Sequence, residues 1–500
     1  MNKDRTGHDP GHHGAGTHKN PPSFLQHAWE KQRLAVLGRY FGAAGQEAGT
    51  GRDYRNLVPI VLVLVCVLTF VYWLYGPVTD REENRYRARI AYLNQRQLWL
   101  VEQGFSQPVK TDDRVSEIVG WSKDGRWLAY CKKTAGRKGV YLWVTDHTGQ
   151  RRMAVDTRPV VCRPRWAPGN SVLAYSTGSP RNQARMDGNL KLAALKNDTI
   201  VRSAVWPPGS GRLMDLAWAS DGAALFVSME RTAAAPAVIE KVKLKGVRQT
   251  VYTFEQTNPV YDPLLLPFGA TGLETSPDGR WLVFFVQPGS ASLAADGCEI
   301  RYLPIRDNGS PGLLGTGLAY PEWLDWSSDG ERLAMILGAG REASASKELT
   351  VSDAREQWKI HSLGTGSTVD MLPAWTANPE GGLFFVRGPM ASEPLAAKKA
   401  GQPAIPGQQI WQWKPDQKTE AVTRPPKEQS DLFPQPSPNG RTLIFVRATS
   451  LNQGQLMRKD LASGKETVLI GQLGHDPGYY FNELPSWLQV HWVDTKTGSR

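Results

Sequence analysis

Cysteine is scarce in this chain, with only 4 residues among 500. So few thiols exclude a scaffold built on disulfides, and an apolar core has to supply the stability. Cys66 lies in an apolar segment near the N-terminus, whereas Cys131, Cys162 and Cys298 follow it. Cys131 and Cys162 fall in neighbouring sequence repeats, so a bridge between them is conceivable. Free, buried thiols are the alternative.

Linear motifs of catalysis are also absent from the sequence. It has no G-x-S-x-G elbow, no H-E-x-x-H, no phosphate-binding glycine-rich loop and no paired-cysteine zinc spacing. We therefore predict no catalytic residue, no metal or cofactor site, and no enzyme. Four N-terminal histidines could share a transition metal only weakly, because nothing fixes their backbone; they are His8, His12, His13 and His18. Nucleic acid is not expected as a partner, since neither a reading helix nor interleaved basic and aromatic residues occur.

A repeated pattern dominates the rest of the chain. The segment WSKDGRWLAY at Trp121 returns as TSPDGRWLVFF at Thr275, as WSSDGERLAMI at Trp326 and as PSPNGRTLIFV at Pro436. Weaker copies begin at Trp166, Trp218 and Trp375. The copies lie about 45 to 60 residues apart, and that period indicates an array or a propeller.

Each copy predicts a β-hairpin. The tetrad places glycine where a positive φ is needed, and the alternating apolar run after it is typical of a strand. Third and fourth strands follow, for example at 140–144 and 466–470, so each repeat supplies a four-stranded blade. The turn aspartates resemble acid and base pairs, but we expect their carboxylates to accept local backbone N–H groups; they are Asp124, Asp221, Asp278 and Asp329.

These motifs resemble the WSPDG repeat of TolB-type propellers, which are relatives of WD-repeat propellers. The resemblance covers roughly residues 95–493 and implies an all-β fold of seven or eight four-stranded antiparallel blades. Residues 98–111 are typical of the third and fourth strands of a blade, and residues 484–494 could supply its first two. That closure gives eight blades, whereas two terminal caps leave seven. The resemblance does not fix the function, because the fold hosts scaffolds, receptors and enzyme domains.

An uncharged apolar segment precedes the repeats and predicts a transmembrane signal anchor over 57–76. A cleaved signal peptide is disfavoured because a long segment comes before it. The other predicted parts are a disordered cytoplasmic arm (1–22), a short amphipathic helix with a linker (23–56), a helical stalk (77–97) and the propeller (98–500). Arginines flank both ends of the span, so the positive-inside rule does not decide the orientation. The uncleaved span and the TolB resemblance favour a single-pass cell-membrane protein with a cytoplasmic N-terminus and an extracytoplasmic propeller.

The formal net charge is +11, and no single tail carries the excess. Basic pairs in the first repeat could face anionic lipid headgroups or a wall polymer; they are Lys132 with Lys133, Arg137 with Lys138, and Arg151 with Arg152. A solvated basic rim is the alternative.

These features favour a noncatalytic, membrane-anchored propeller that binds a protein or an envelope component as a scaffold or receptor. Long insertions at 176–189, 232–236 and 388–408 would enlarge one face for binding. The alternative is a hydrolase or lyase that acts on a polysaccharide or peptide in the propeller channel. Inward-facing carboxylates and histidines with shifted pKa values would support this alternative, whereas a channel filled by apolar side chains would count against it.

Overall fold

A computed structural model describes residues 85–104, 107–178, 189–196, 199–206, 212–255, 266–306, 309–378, 382–391, 406–415, 417–450, 452–474 and 488–496. All of them belong to the second of the two units into which the chain divides, Asp80–Arg500. The predicted arm (1–22), helix and linker (23–56) and membrane span (57–76) lie outside these residues. Within the described part, no helix is long and apolar enough to cross a bilayer.

The described strands form eight four-stranded antiparallel sheets, which are the blades of a propeller. The strands that precede the first repeat are β1 (Tyr86–Asn94), β2 (Gln97–Glu102) and β3 (Val109–Asp112). Blades one and two contain β4 (Val115–Trp121), β5 (Trp127–Lys133), β6 (Val140–Asp146), β7 (Arg152–Ala154), β8 (Arg165–Trp166), β9 (Val172–Ser176), β10 (Leu190–Lys196) and β11 (Thr199–Trp206). Blades three and four contain β12 (Leu213–Trp218), β13 (Ala224–Met229), β14 (Val238–Lys243), β15 (Arg248–Thr253), β16 (Pro267–Thr275), β17 (Trp281–Pro288), β18 (Cys298–Pro304) and β19 (Gly312–Gly317).

Blades five and six contain β20 (Leu324–Trp326), β21 (Arg332–Leu337), β22 (Glu348–Asp353), β23 (Lys359–Ser362), β24 (Thr368–Trp375), β25 (Leu383–Pro389), β26 (Gln409–Trp413) and β27 (Glu420–Ala421). Blade seven contains β28 (Ser430–Pro436), β29 (Thr442–Ser450), β30 (Gln453–Asp460) and β31 (Glu466–Gly474), and β32 (Leu488–Asp494) follows it. A short helix, α1 (Ala291–Asp296), joins β17 to β18, and single 3₁₀ turns occur at Pro321–Trp323 and Ala354–Glu356.

Blade eight is built from both ends of the propeller, in the strand order β3-β2-β1-β32. β32 pairs with β1 from Tyr86 opposite Asp494 to Tyr92 opposite Leu488, and the Arg85 guanidinium lies 3.0 Å from the Asp494 carboxylate. This confirms the closed ring and decides for eight blades. The C-terminus contributes only the first strand of this blade, however, and not the first two.

The predicted helical stalk over 77–97 is wrong where the structure describes it. Residues 86–94 form strand β1, and the propeller therefore begins well before residue 98. The segment is rich in helix-forming residues, but β1 pairs with β2 on one side and with β32 on the other. Because Ala88, Ile90 and Tyr92 are buried in that sheet, tertiary pairing overrides the local propensity.

The repeat tetrads form the turns between the first and second strands of their blades. In blade one, the Ser122 hydroxyl donates to Asp124 at 2.6 Å, and the same Asp124 oxygen accepts the backbone N–H of Arg126 at 3.1 Å. Gly125 has a φ of 64°. The turns at Asp278 and Asp329 make the same bonds. The local role predicted for these carboxylates is confirmed.

The blades pack face to face, and their second strands carry the core. All six residues of β13 are buried, as are Phe284, Phe384 and Phe445 in the corresponding strands. Since neighbouring strands are antiparallel, the repeat turns lie on one face of the ring, here called the turn face. The connections between second and third strands begin and end on the opposite face, here called the entry face. The strands that border the three predicted insertions all meet that entry face.

Candidate functional site

A salt bridge crosses the centre of the propeller. Arg163, just before β8 of blade two, has its guanidinium 3.0 Å from the carboxylate of Glu322, just before β20 of blade five. Blades two and five are not neighbours in a ring of eight, so these side chains meet over the axis. Although burial disfavours its charge, Glu322 and Glu117 raise the pKa of the Arg163 guanidinium.

Three more charged residues share one position of the repeat. Arg165, Glu274 and Asp325 each lie directly before the aromatic position of blades two, four and five. The other copies have uncharged residues there, namely Gly120, Ala217, Ala374 and Gln435. Because this position ends the first strand of every blade, it repeats around the axis near the turn face. Arg163, Arg165, Glu274, Glu322 and Asp325 together form what is called here the axial cluster.

Glu274 is a partly buried carboxyl group. It belongs to β16, and its pKa is raised to about 7: burial and the Glu322 charge raise it, whereas Arg165 and Arg163 oppose the rise. Within the described part of the chain, no hydrogen bond reaches the Glu274 carboxylate. The group therefore changes charge near neutral pH, unlike an ordinary glutamate.

Asp325 is the second such carboxyl group. It belongs to β20, and its pKa is raised to about 8, mainly by burial and also by the Glu274 charge. The backbone N–H groups of Trp375 and Trp326 donate to Asp325 and lower its pKa, but they do not overcome burial. Those bonds hold the carboxyl group in place at the junction of blades five and six.

The two carboxyl groups are coupled, since the Glu274 charge raises the proton affinity of Asp325. Glu274 has the lower pKa of the two, so between the two ionisations the pair holds one proton. A carboxylate beside a carboxylic acid can remove a proton from water and donate one to a leaving group. Arg165 lies close enough to influence Glu274 electrostatically, and its buried Nε has no hydrogen-bond partner among the described residues.

Sequence reasoning missed this cluster because no linear motif contains it. The available signal was the position before the repeat aromatic, where charge appears in only three of seven copies. In the described part of the chain no group of histidine, cysteine and carboxylate side chains could hold a metal ion. Cys131, Cys162 and Cys298 are free thiols, so the structure adopts the alternative without a bridge.

No protein-family model matches the chain, and no curated protein matches its sequence. Solved structures do match. A puromycin hydrolase is 15% identical with a TM-score of 0.44, over 73% of this chain and 55% of that one. The tricorn protease is 12% identical with a TM-score of 0.42, over 76% of this chain and 38% of that one. This chain thus spans about half the length of the hydrolase.

TolB from Acinetobacter baumannii is 13% identical with a TM-score of 0.32, over 73% of this chain and 82% of that one. The resemblance to TolB-type propellers is thereby confirmed for the fold. The prediction of a noncatalytic binding propeller is corrected here, because the matching structures include a hydrolase and a protease. At such identities the likeness concerns the fold alone, and activity has to be argued from the site.

Proposed function

We propose that this protein is a hydrolase that cleaves a peptide or polysaccharide by general acid and base catalysis in the axial cluster. The observation that carries the proposal is the coupled pair of Glu274 and Asp325, with pKa values of about 7 and about 8. The turn carboxylates Asp124 and Asp278 have lowered pKa values instead, because hydrogen bonds to their charged form outweigh their burial. Raised pKa values are typical of catalytic acids.

The roles follow from the order of ionisation. Glu274 loses its proton first, so it is the base that takes a proton from water as the water oxygen attacks the scissile carbon. Asp325 keeps its proton and donates it to the leaving oxygen or nitrogen as that bond to carbon breaks. Exchange with solvent then returns the proton from Glu274 to Asp325.

The cationic side of the cluster has a separate role. The Arg163 guanidinium is held across the axis by Glu322. Arg165 has an unpartnered Nε among the described residues and lies beside Glu274, so it can bind negative charge that develops on the substrate. The pair thus handles protons, and Arg165 stabilises charge.

The test is cleavage by the purified full-length chain of a peptide library and a panel of polysaccharides at pH 7.5. Glu274→Gln and Asp325→Asn should each lower kcat by roughly 100-fold or more, the usual contribution of a general acid or base. Glu420→Gln is the matched control, because Glu420 is an exposed carboxylate on β27. An unsaturated product would indicate elimination by the same pair. Turnover that survives both substitutions would refute the proposal.

We further propose that the enzyme is anchored by residues 57–76 with its propeller outside the cytoplasm. This rests on the uncharged apolar segment in the sequence. Its test is protease protection in intact cells: external protease should degrade the propeller and leave a tag at Met1 intact. Loss of the tag while the propeller stays intact would show the opposite orientation. Recovery of the whole chain in the soluble fraction would show that residues 57–76 do not anchor it.

A further inference from the structure

A large cleft opens on the entry face, where blades seven, eight and one meet. Its volume is about 1250 Å³, and its walls come from three places. Blade eight supplies the β1–β2 turn with Arg96, and blade one supplies Arg114, Lys133 and Trp143. Blade seven supplies Asn452 and Gln453. We call it the basic cleft. The axial cluster contributes none of the residues that line it.

Unpaired cations distinguish the basic cleft. Its two acidic residues already have partners, since Asp112 binds Lys132 and Arg152, and Asp113 lies 2.9 Å from Lys110. Arg96, Arg114 and Lys133 have no ion pair or side-chain hydrogen bond among the described residues. Three exposed cations without an ion pair of their own among the described residues therefore line one cavity, and this excess of positive charge favours an anion.

The backbone holds two of these cations in a costly conformation. Gln95 and Arg96 form the two-residue turn between β1 and β2, with φ values of 52° and 62°. Arg114, in the link between β3 and β4, has a φ of 60°. Glycine or asparagine is favoured at such positions, so the presence of arginine at two of them points to a function for the side chains.

The uncharged lining suggests what carries the negative charge. Gln95, Gln97, Asn452 and Gln453 offer amides that can both donate to and accept from hydroxyl groups. Trp143 is half-buried in the wall, with the Lys132 ammonium 5.0 Å from its ring centroid. The cleft thus offers amides that can bind hydroxyl groups, guanidinium groups that can bind carboxylates, and an aromatic ring. This combination suits a sugar acid better than a bare anion.

We infer that the basic cleft binds a carboxylate-bearing glycan chain. Arg96 and Arg114 would each donate two N–H groups to a sugar carboxylate. Lys133 would add a positive charge, and the amide side chains would form hydrogen bonds with the ring hydroxyls. This inference goes beyond the proposed hydrolase and does not depend on it, because the basic cleft and the axial cluster share no residue. A glycan held there could be a substrate or an anchor for the propeller.

The test is calorimetric titration of the full-length chain with a galacturonate hexamer, with maltohexaose as the neutral ligand. The acidic hexamer should bind, and its affinity should fall as salt is added. Arg96→Gln combined with Arg114→Gln should weaken binding at least about tenfold, as expected when charge-assisted hydrogen bonds are lost. Lys138→Gln is the matched control, because it removes an exposed charge of blade one that does not line the basic cleft.

Arg114→Gly separates binding from folding. It removes the cation and relieves the positive φ, so the thermal midpoint should stay equal or rise while glycan affinity falls. Equal binding of maltohexaose, or binding only of inorganic phosphate or of phosphatidylglycerol vesicles, would overturn the inference. Unchanged affinity in Arg114→Gly and in the double variant would also overturn it. Repeating the titration with Glu274→Gln keeps this result independent of catalysis.

Discussion

The indole Nε1 of Trp218 donates a hydrogen bond to the backbone carbonyl oxygen of Arg165 at 2.9 Å. This bond ties blade three to blade two at the residue that carries a guanidinium into the axial cluster. Trp166 makes the equivalent bond to Gly120 at 2.8 Å, and Thr275, which replaces the aromatic, donates to Trp218 at 2.8 Å. The repeat aromatic therefore links each of these blades to the one before it, as well as filling the core.

Trp218→Phe should destabilise the protein by about 1 kcal/mol more than Trp326→Phe, because only the former loses a hydrogen bond. Trp326 occupies the same repeat position, and its Nε1 has no partner among the described residues. Chemical denaturation of both variants gives the comparison. Equal losses of stability would show that the indole bond contributes nothing beyond packing.

Activity should depend on pH as a narrow bell with limbs near pH 7 and pH 8. The pair is active when it holds one proton, which requires a pH above the pKa of about 7 at Glu274 and below that of about 8 at Asp325. The measurement is kcat/KM from pH 5 to pH 10. A profile that does not fall on both sides, toward pH 5 and toward pH 10, would remove the pair from the chemistry.

Asp325→Asn should make the protein more stable than the wild type at alkaline pH. Its folded pKa of about 8 lies above the ordinary value of 3.8, so the folded state binds the proton more tightly. The resulting stability is complete below about pH 4 and is lost as pH rises through about 8. The gain of the variant should therefore grow from pH 5 to pH 9 by more than about 1.4 kcal/mol, the equivalent of one pKa unit. Glu420→Gln should show no such trend.

Arg447→Met should cost about 3 to 5 kcal/mol, the loss expected when one partner of a buried ion pair is removed. Arg447 binds the Asp431 carboxylate through two N–H groups, at 2.7 and 2.9 Å, and Asp431 is fully buried. Arg341→Met is the control, because its pair with Asp296 is exposed and should cost less than about 1 kcal/mol. Similar losses in the two variants would contradict the buried character of the first pair.

Gly125→Ala should destabilise the ring closure more than Gly464→Ala. Both glycines have positive φ, 64° and 73°, and each substitution costs about 1 kcal/mol for that reason. At Gly125 an added Cβ would also meet the His491 ring of β32, whereas at Gly464 nothing lies nearby. The free energies of unfolding of the two variants should therefore differ by roughly 1 to 3 kcal/mol, the usual cost of overpacking. Thermal unfolding measures this difference.

The repeat alone predicted the blades, because each copy contains its own turn chemistry and strand alternation. The strands at Val140–Asp146 and Gln409–Trp413 and the local bonds of Asp124 needed no tertiary information. The fold of residues 86–94 was mispredicted, since their helical composition is outweighed by pairing with a strand about 400 residues away in sequence.

The sequence by itself determined a propeller of four-stranded blades, the structural use of its turn aspartates and the apolar segment before it. Only the tertiary structure decided that the ring has eight blades, because closure depends on the pairing of β1 with β32. It alone brought Arg163 to Glu322 and set the raised pKa values of Glu274 and Asp325. Those residues come from blades two, four and five, and the burial that shifts the pKa values of Glu274 and Asp325 exists only once the blades surround the axis.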